Sequence, residues 1–464
     1  MPCNSAISSA NKESDRVRFL PGLQFKLNFK HYSGFLNVSN YSMHYWLVES
    51  QRDPSQDPLL LWLNGGPGSS SLIGLMTENG PFFVDWKGDK LIKNIYSWNK
   101  VANVIYLETP ANVGFSYASV ANLTFTDTTT AKLNYFTLLK FFERFPEYKN
   151  RNFFMSGESY AGVYISTLAA YILERQEYFP AKLKGLAIGN GLLDGLLNHN
   201  TVVEYFYSHG FFTPWLMDDL RSACNCGSAF ACDYYTNKDE RCQAIQKHLW
   251  KVIIRLSHFD PNIYESCYEP SKHEIIGAPE KAFAIKPYSL LHTHYPSTSR
   301  TSNHCNVSLA SEEPMRKYLH KSEVTQALHI PKGIIWEDPN RSIHYDRDLL
   351  RTYTMRPYLE YLLQQKLPIL LYYGDYDAIC SFMGGQEFLM QMNLQDPGDR
   401  KQWKYKGNLI HTFAGLHDKF AEGLDFLTVK AAGHFVSTDK PAESLQMIAN
   451  FLRGNRNYST PVEE

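Results

Sequence analysis

Short, unbroken apolar runs that end in small or polar turns set the rhythm of this chain. Leu59–Leu63, Asn103–Leu107, Leu183–Ile188, Pro368–Tyr373 and Leu424–Val429 show little alternation, as expected of strands buried on both faces. Met43–Val48 also reads as a strand, and Phe153–Met155 as a strand running into a turn. Between these runs the spacing becomes helical. Leu133, Phe136, Leu139, Phe142 and Phe145 predict a core-facing helix over 128–145 that stops at Pro146. Met355–Gln365 reads as a helix, and Leu445, Ile448 and Leu452 place a last amphipathic helix before Gly454. Strands alternating with helices predict a mostly parallel, helix-covered sheet. The alternation lapses over 192–310 and then resumes. The expected organisation is an irregular segment 1–19, a first α/β part 20–191, a cap or lid insertion 192–310 and a second α/β part 311–464.

At 464 residues one large α/β enzyme with an insertion fits, although length alone would allow about three domains. A net charge of −1 with 20% charged residues offers no field for a polyanion, so nucleic acid is not an expected partner. The 30 Tyr and 28 Phe suit a large core and an aromatic-lined cleft. No apolar run approaches the roughly 18 residues of a membrane span. Residues 1–28 are polar, without the apolar core of a signal peptide. Asn-x-Ser/Thr sequons at Asn37, Asn40, Asn122, Asn306, Asn340 and Asn457 nevertheless fit a secretory glycoprotein. Cys224, Cys226, Cys232 and Cys242 crowd one polar segment, and Cys267 and Cys305 flank another. Such clustering reads as disulfides or as a zinc site; paired C-x-x-C motifs are absent, which favours disulfides. No metal and no cofactor are expected.

The candidate chemistry lies at strand ends. In Gly157-Glu158-Ser159-Tyr160-Ala161-Gly162 a serine follows an apolar run and precedes a helix start, the strand–turn–helix that exposes a nucleophile, although Ala161 stands where glycine is usual. Asp377 and His434 each follow another buried run. In open α/β sheets that edge carries the site, and Ser…Asp…His is the α/β-hydrolase order. A serine hydroxyl needs a histidine to take its proton, and the carboxylate holds the histidine's tautomer. Asp375 competes with Asp377 but reads more like a turn residue. Asn64-Gly65-Gly66-Pro67-Gly68, just past a buried strand, would let backbone approach a ligand closely.

Trp62-Leu63-Asn64-Gly65-Gly66-Pro67-Gly68, Val113-Gly114-Phe115-Ser116-Tyr117, Gly157-Glu158-Ser159-Tyr160-Ala161-Gly162, Gly374-Asp375-Tyr376-Asp377 and Gly433-His434 together resemble the serine carboxypeptidases, over about residues 20–453. Gly-Glu-Ser-Tyr-Ala-Gly is a signature of that family, so Ala161 fits. The resemblance implies an α/β-hydrolase fold with helices on both faces and a disulfide-stapled cap. It implies hydrolysis of the C-terminal peptide bond of peptides and proteins through an acyl-enzyme, with Ser159 as nucleophile, His434 as base and Asp377 as its orienter. Main-chain N–H groups of Gly66 and Tyr160 would form the oxyanion hole. Asn64, Gly65, Glu78 and Glu158 would bind the substrate's terminal carboxylate. Two carboxyls brought close do not both ionise readily, so one keeps a proton to donate, which predicts activity at acidic pH. The implied disulfides are Cys224–Cys242, Cys226–Cys232 and Cys267–Cys305. A homodimer and partnership with lysosomal glycosidases rest on the resemblance alone. Acyl transfer on the same scaffold and a purely protective binding role are the alternative functions.

The chain also departs from the family. Ser69 stands where the family has a cysteine, and no partner cysteine lies near Trp336-Glu337-Asp338, so that disulfide should be absent and this wall looser. Asn112 replaces a glycine. Cys380 should be a small buried residue near Asp377. The segment 292–303, which matches the family's activation peptide, has only Arg300 as a basic residue, so cleavage there is not expected.

Overall fold

The computed structural model describes residues 12–120, 123–226, 232–257, 312–338, 343–349, 354–406 and 411–462. The chain divides into two compact units. The first runs over Met1–Gly157, Tyr164–Leu186 and Glu312–Asp348, and the second over Glu158–Val163, Ala187–Ser311 and Leu349–Glu464.

In the first unit the strands are β1 (His31–Val38), β2 (Tyr41–Val48), β3 (Leu59–Leu63), β4 (Asn103–Leu107), β5 (Asn152–Glu158) and β6 (Lys182–Gly189), which carries on into the second unit. Their order is β1-β2-β4-β3-β5-β6. Strand β3 runs parallel to β4 and β5, while β1–β2 and β2–β4 are antiparallel. Every residue of β3 and β4 is buried, which is why their sequences are unbroken apolar runs and not alternations.

Helix α1 (Asp127–Arg144) starts at a capping box. The Thr126 side chain accepts from the Thr129 N–H, and the Thr129 side chain accepts from the Thr126 N–H. It buries Leu133, Leu138, Phe141 and Phe142. Phe136, expected in the core, is 46% exposed. A three-residue spacing rotates by about 60° per step on a helix, so five such residues cannot share one face.

In the second unit β7 (Ile369–Gly374) runs parallel to β10 (Leu424–Val429). The antiparallel strands β9 (His411–Lys419) and β8 (Lys401–Lys406) complete the order β7-β10-β9-β8. Helix α2 (Ala161–Leu173) begins in this unit. The segment read as irregular from residue 192 instead contains three helices among its described residues: α3 (Gly195–Ser208), α4 (Pro214–Ala223) and α5 (Glu240–Ser257), joined by turns. Asp194 caps α3 through the Leu197 N–H, and Thr213 with Pro214 starts α4. Phe206, Met217, Leu220, Cys242, Leu249 and Ile253 pack together as the core of this region. Cys224 pairs with Cys242, joining the end of α4 to α5, and Cys226 pairs with Cys232 within the connection between them. Helices α6 (Arg356–Gln364), α7 (Phe382–Met390) and α8 (Pro441–Leu452) follow.

Parallel central strands, antiparallel outer strands and intervening helices are the α/β class read from the sequence. No helix among the described residues is long and apolar enough to cross a membrane, and no cluster of His, Cys, Asp and Glu there could hold a metal ion. Cys267, Cys305, Asn122, Asn306, Asn340 and the segment 292–303 lie outside the described residues. Asn37, Asn40 and Asn457 are on the surface.

Candidate active site

Ser159 sits on the turn between β5 and α2 with a φ of 60°. A left-handed backbone is uncommon for a residue with a side chain, and here it is held by main-chain bonds on both sides. The Ser159 N–H donates to the Gly189 carbonyl at 3.1 Å, and its own carbonyl accepts from Gly162 N–H at 3.0 Å and Leu192 N–H at 2.9 Å. The absent side chain matters at Gly162, where a Cβ would lie 3.1 Å from Leu193 and 3.2 Å from the Leu192 carbonyl oxygen. Ala161 is fully buried.

Asp377 and His434 are in hydrogen-bond contact. His434 Nδ1 lies 2.8 Å from Asp377 Oδ2. Asp377 is fully buried and His434 is nearly so. The carboxylate also accepts from Ile379 N–H on Oδ1 at 2.7 Å, and from Cys380 N–H at 3.1 Å and Asn190 Nδ2 at 2.6 Å on Oδ2. The loops that carry the pair meet backbone to backbone: the Tyr376 N–H donates to the Ala432 carbonyl at 2.8 Å. A Cβ on Gly374 would lie 2.2 Å from the Gly433 carbonyl oxygen, so only glycine fits there. Asp375 does a different job. One of its oxygens accepts from Ala431 N–H at 2.6 Å, and burial raises its pKa above the ordinary carboxyl value. Cys380, as expected, is fully buried.

In the first unit the Gly-rich turn after β3 is built around Asn64. Its Oδ1 accepts from Trp62 Nε1 at 2.8 Å and Gly74 N–H at 3.0 Å, and its Nδ2 donates to Glu78 Oε1 at 2.9 Å. Trp62 thereby fixes which way the amide faces, a role the sequence reading missed. Gly65 accepts from the Ser69 N–H. Gly66 has a φ of 104°, and a Cβ on it would lie 2.7 Å from the Gly68 and Ser69 nitrogens. Glu78 is buried in this unit; Glu158 and Tyr160 are buried in the other.

Two departures from the family pattern have structural answers. The wall expected to be loose is tied by hydrogen bonds. The Ser70 N–H donates to Asp338 Oδ1, the Ser70 hydroxyl donates to Glu108, and Trp336 Nε1 donates to Glu108 Oε1 at 3.0 Å. Asn112 takes a φ of 70°, a conformation asparagine tolerates better than most residues, and its Oδ1 accepts from the Ala118 N–H.

The sequence model of the serine carboxypeptidases matches residues 21–454. The chain belongs to the serine carboxypeptidase family. It is 40% identical to serine carboxypeptidase ctsa-4.1 of Caenorhabditis elegans, over 97% of this chain and 95% of that one. It is 36% identical to the lysosomal protective protein of Mus musculus, over 96% and 95%. Among solved structures it resembles KEX1(delta)p, a prohormone-processing carboxypeptidase of Saccharomyces cerevisiae, with a TM-score of 0.71 over 96% of each chain at 20% identity. That likeness gives this serine carboxypeptidase the α/β-hydrolase fold.

Proposed function

We propose that this member of the family removes C-terminal residues from peptides and proteins at acidic pH, with Ser159 as nucleophile, His434 as base and Asp377 as the group that orients the histidine. The supporting observation is the His434–Asp377 hydrogen bond. It occupies Nδ1 and leaves Nε2 as the nitrogen that takes the Ser159 proton. Ser159 Oγ attacks the scissile carbonyl, and the proton passes through His434 to the departing amino acid. Water then cleaves the ester, with His434 again taking and returning the proton. The N–H groups of Gly66 and Tyr160 serve as oxyanion donors, each worth about a hundredfold or more in rate. Asn64, Gly65, Glu78 and Glu158 bind the terminal carboxylate. A glutamate that keeps its proton can donate to that carboxylate, whereas an ionised pair would repel it, so release slows as pH rises.

Release of the terminal amino acid from an N-blocked dipeptide at acidic pH tests the assignment, together with labelling by an organophosphate. Wild type should react and be labelled at Ser159, and Ser159→Ala should do neither. Undiminished release by the Ala variant would end the proposal. A lysosomal or secreted location, glycosylation at the exposed sequons, a homodimer and a partnership with glycosidases extend the proposal by resemblance. Co-purification with a β-galactosidase or sialidase tests the last of these.

A further inference from the structure

We propose that Asn190 is a positioning residue for the proposed catalytic pair, holding the Asp377 carboxylate in register with the Ser159 turn. The inference rests on the triad reading above. Asn190 sits at the end of β6, fully buried, with a φ of 42°. Its neighbours grip the nucleophile turn: the Gly189 carbonyl accepts from the Ser159 N–H, and the Leu192 N–H donates to the Ser159 carbonyl. Its side chain grips the carboxylate, with Nδ2 donating to Asp377 Oδ2 at 2.6 Å. That is the same oxygen that His434 Nδ1 contacts at 2.8 Å. One four-residue segment thus braces both ends of the triad.

The amide has a fixed sense. Asn190 Oδ1 accepts from the Gly374 N–H at 3.2 Å, so the NH₂ end must face Asp377; the reversed amide would set oxygen against oxygen. The Asn190 N–H is itself spent on the Tyr372 carbonyl at 2.7 Å. The backbone at this point is therefore pinned to β7 while the side chain bridges the end of that strand, at Gly374, and Asp377 beyond it. Removing the amide leaves Oδ2 with the His434 and Cys380 donors alone, and the carboxylate can then tilt about its Ile379-bound Oδ1 out of the plane that aligns the imidazole. Such a loss acts on the reacting geometry and not on substrate affinity, so it lowers kcat and spares KM.

Two substitutions separate positioning from packing. Asn190→Gly deletes the side chain and keeps the left-handed backbone at no steric cost. Asn190→Asp keeps the shape, and aspartate also tolerates this conformation. In Asn190→Asp two carboxyls face each other. With one shared proton the new side chain still donates to Asp377; with none, the two repel. The titratable groups around the pair are His434, Cys380 and Tyr373, whose hydroxyl donates to the Gly191 carbonyl and whose pKa burial raises well above its usual value.

The experiment is the pH profile of kcat and KM for dipeptide release by the three proteins. It is paired with the downfield NMR signal of the His434 Nδ1 proton, which reports the pair without turnover. Asn190→Gly should lose about ten- to hundredfold in kcat at every pH with KM unchanged, and its imidazole signal should shift. Asn190→Asp should approach wild type at the acid end and fall away as pH rises. Equal losses by both variants at all pH values, or a Gly variant within twofold of wild type with an unmoved signal, would overturn the proposal. Wild type that releases no amino acid yet keeps the signal would instead remove the carboxypeptidase reading and leave the positioning role to be judged from the spectra.

Discussion

Asn64 shows how much one side chain settles. Trp62 and Gly74 saturate its oxygen, so its NH₂ group must face Glu78. An Ala at this position strands buried donors and a buried carboxyl oxygen, at about 1–3 kcal/mol. If the turn binds the substrate's carboxylate, Asn64→Ala should raise KM for free-acid peptides by about ten- to a hundredfold and leave substrates whose C-terminal carboxyl is blocked as an ester nearly unaffected. Comparing KM for the two substrate types checks this; equal losses on both would assign Asn64 to the fold and not to recognition. Residues of this kind divide by how visible they are in the sequence. Ser159, Asp377 and His434 stand out because nucleophile, acid and base types recur just past apolar runs. Glu78 and Glu158 enter the proposed site only through family resemblance, since a lone glutamate is ordinarily a solvated surface residue. Trp62 and Asn190 carry no pattern at all. Their roles exist only once a strand end brings an indole or an amide within hydrogen-bond reach of its target.

Elements follow a similar division. Leu59–Leu63, Asn103–Leu107 and Leu424–Val429 have the bounds that their apolar runs suggest, because strands buried on both faces need apolar residues throughout. The outer strands β8 and β9, which carry Lys401, Lys404, Lys406 and Lys419, were not legible, since β8 is a half-exposed, lysine-rich edge and β9 beside it is interrupted by polar residues, so neither is an unbroken apolar run. Helices α3 to α5 were hidden for a related reason: each buries only a narrow stripe, as in α5, where Cys242, Leu249 and Ile253 face the core and charged residues fill much of the rest. Their small core makes the bridges matter. Cys224–Cys242 closes a separation of 18 residues, for which chain-entropy arguments give about 3 kcal/mol. Cys224→Ser with Cys242→Ser should lower the unfolding free energy by that order, read from denaturant melts. Native-state hydrogen exchange should show faster exchange in α4 and α5 while β7 and β10 stay protected. Uniform loss of protection across the unit would mean that these helices unfold together with the strands.

At the scale of the whole molecule, an enzyme proposed to act in acid must stay folded there, and each unit contains a group that works against this. In the first, His31 is buried, its Nδ1 accepts from Trp46 Nε1 at 3.1 Å, and burial, helped by Arg16, lowers its pKa from 6.5 to about 4. Above the unfolded value neither state takes a proton, so the site is neutral to stability. As pH falls from 6.5 toward about 4 the unfolded chain gains a proton that the folded site refuses. The cost levels off below that at roughly 3 kcal/mol. In the second unit burial alone would raise Asp425, but hydrogen bonds from His417 and Arg456 outweigh it and hold the carboxyl below its usual value. His417 Nε2 contacts one oxygen at 2.7 Å and Arg456 Nε donates to the other at 2.7 Å, with Tyr458 adding a third contact at 3.0 Å. That stability is complete above the unfolded value of 3.8 and disappears only as pH falls through the lower folded one. The two windows do not coincide: His31 weakens the fold across the mildly acidic range, whereas the Asp425 cluster yields only in stronger acid. His31→Gln, whose amide oxygen can still accept from Trp46, should flatten the loss of unfolding free energy between neutral pH and about 4 without changing the steeper loss below it. Asp425→Asn should do the reverse, lowering stability at neutral pH and flattening the strongly acidic limb. Denaturant titrations across this pH range check both limbs, and a His31→Gln curve parallel to wild type would show that this histidine does not set the acid tolerance.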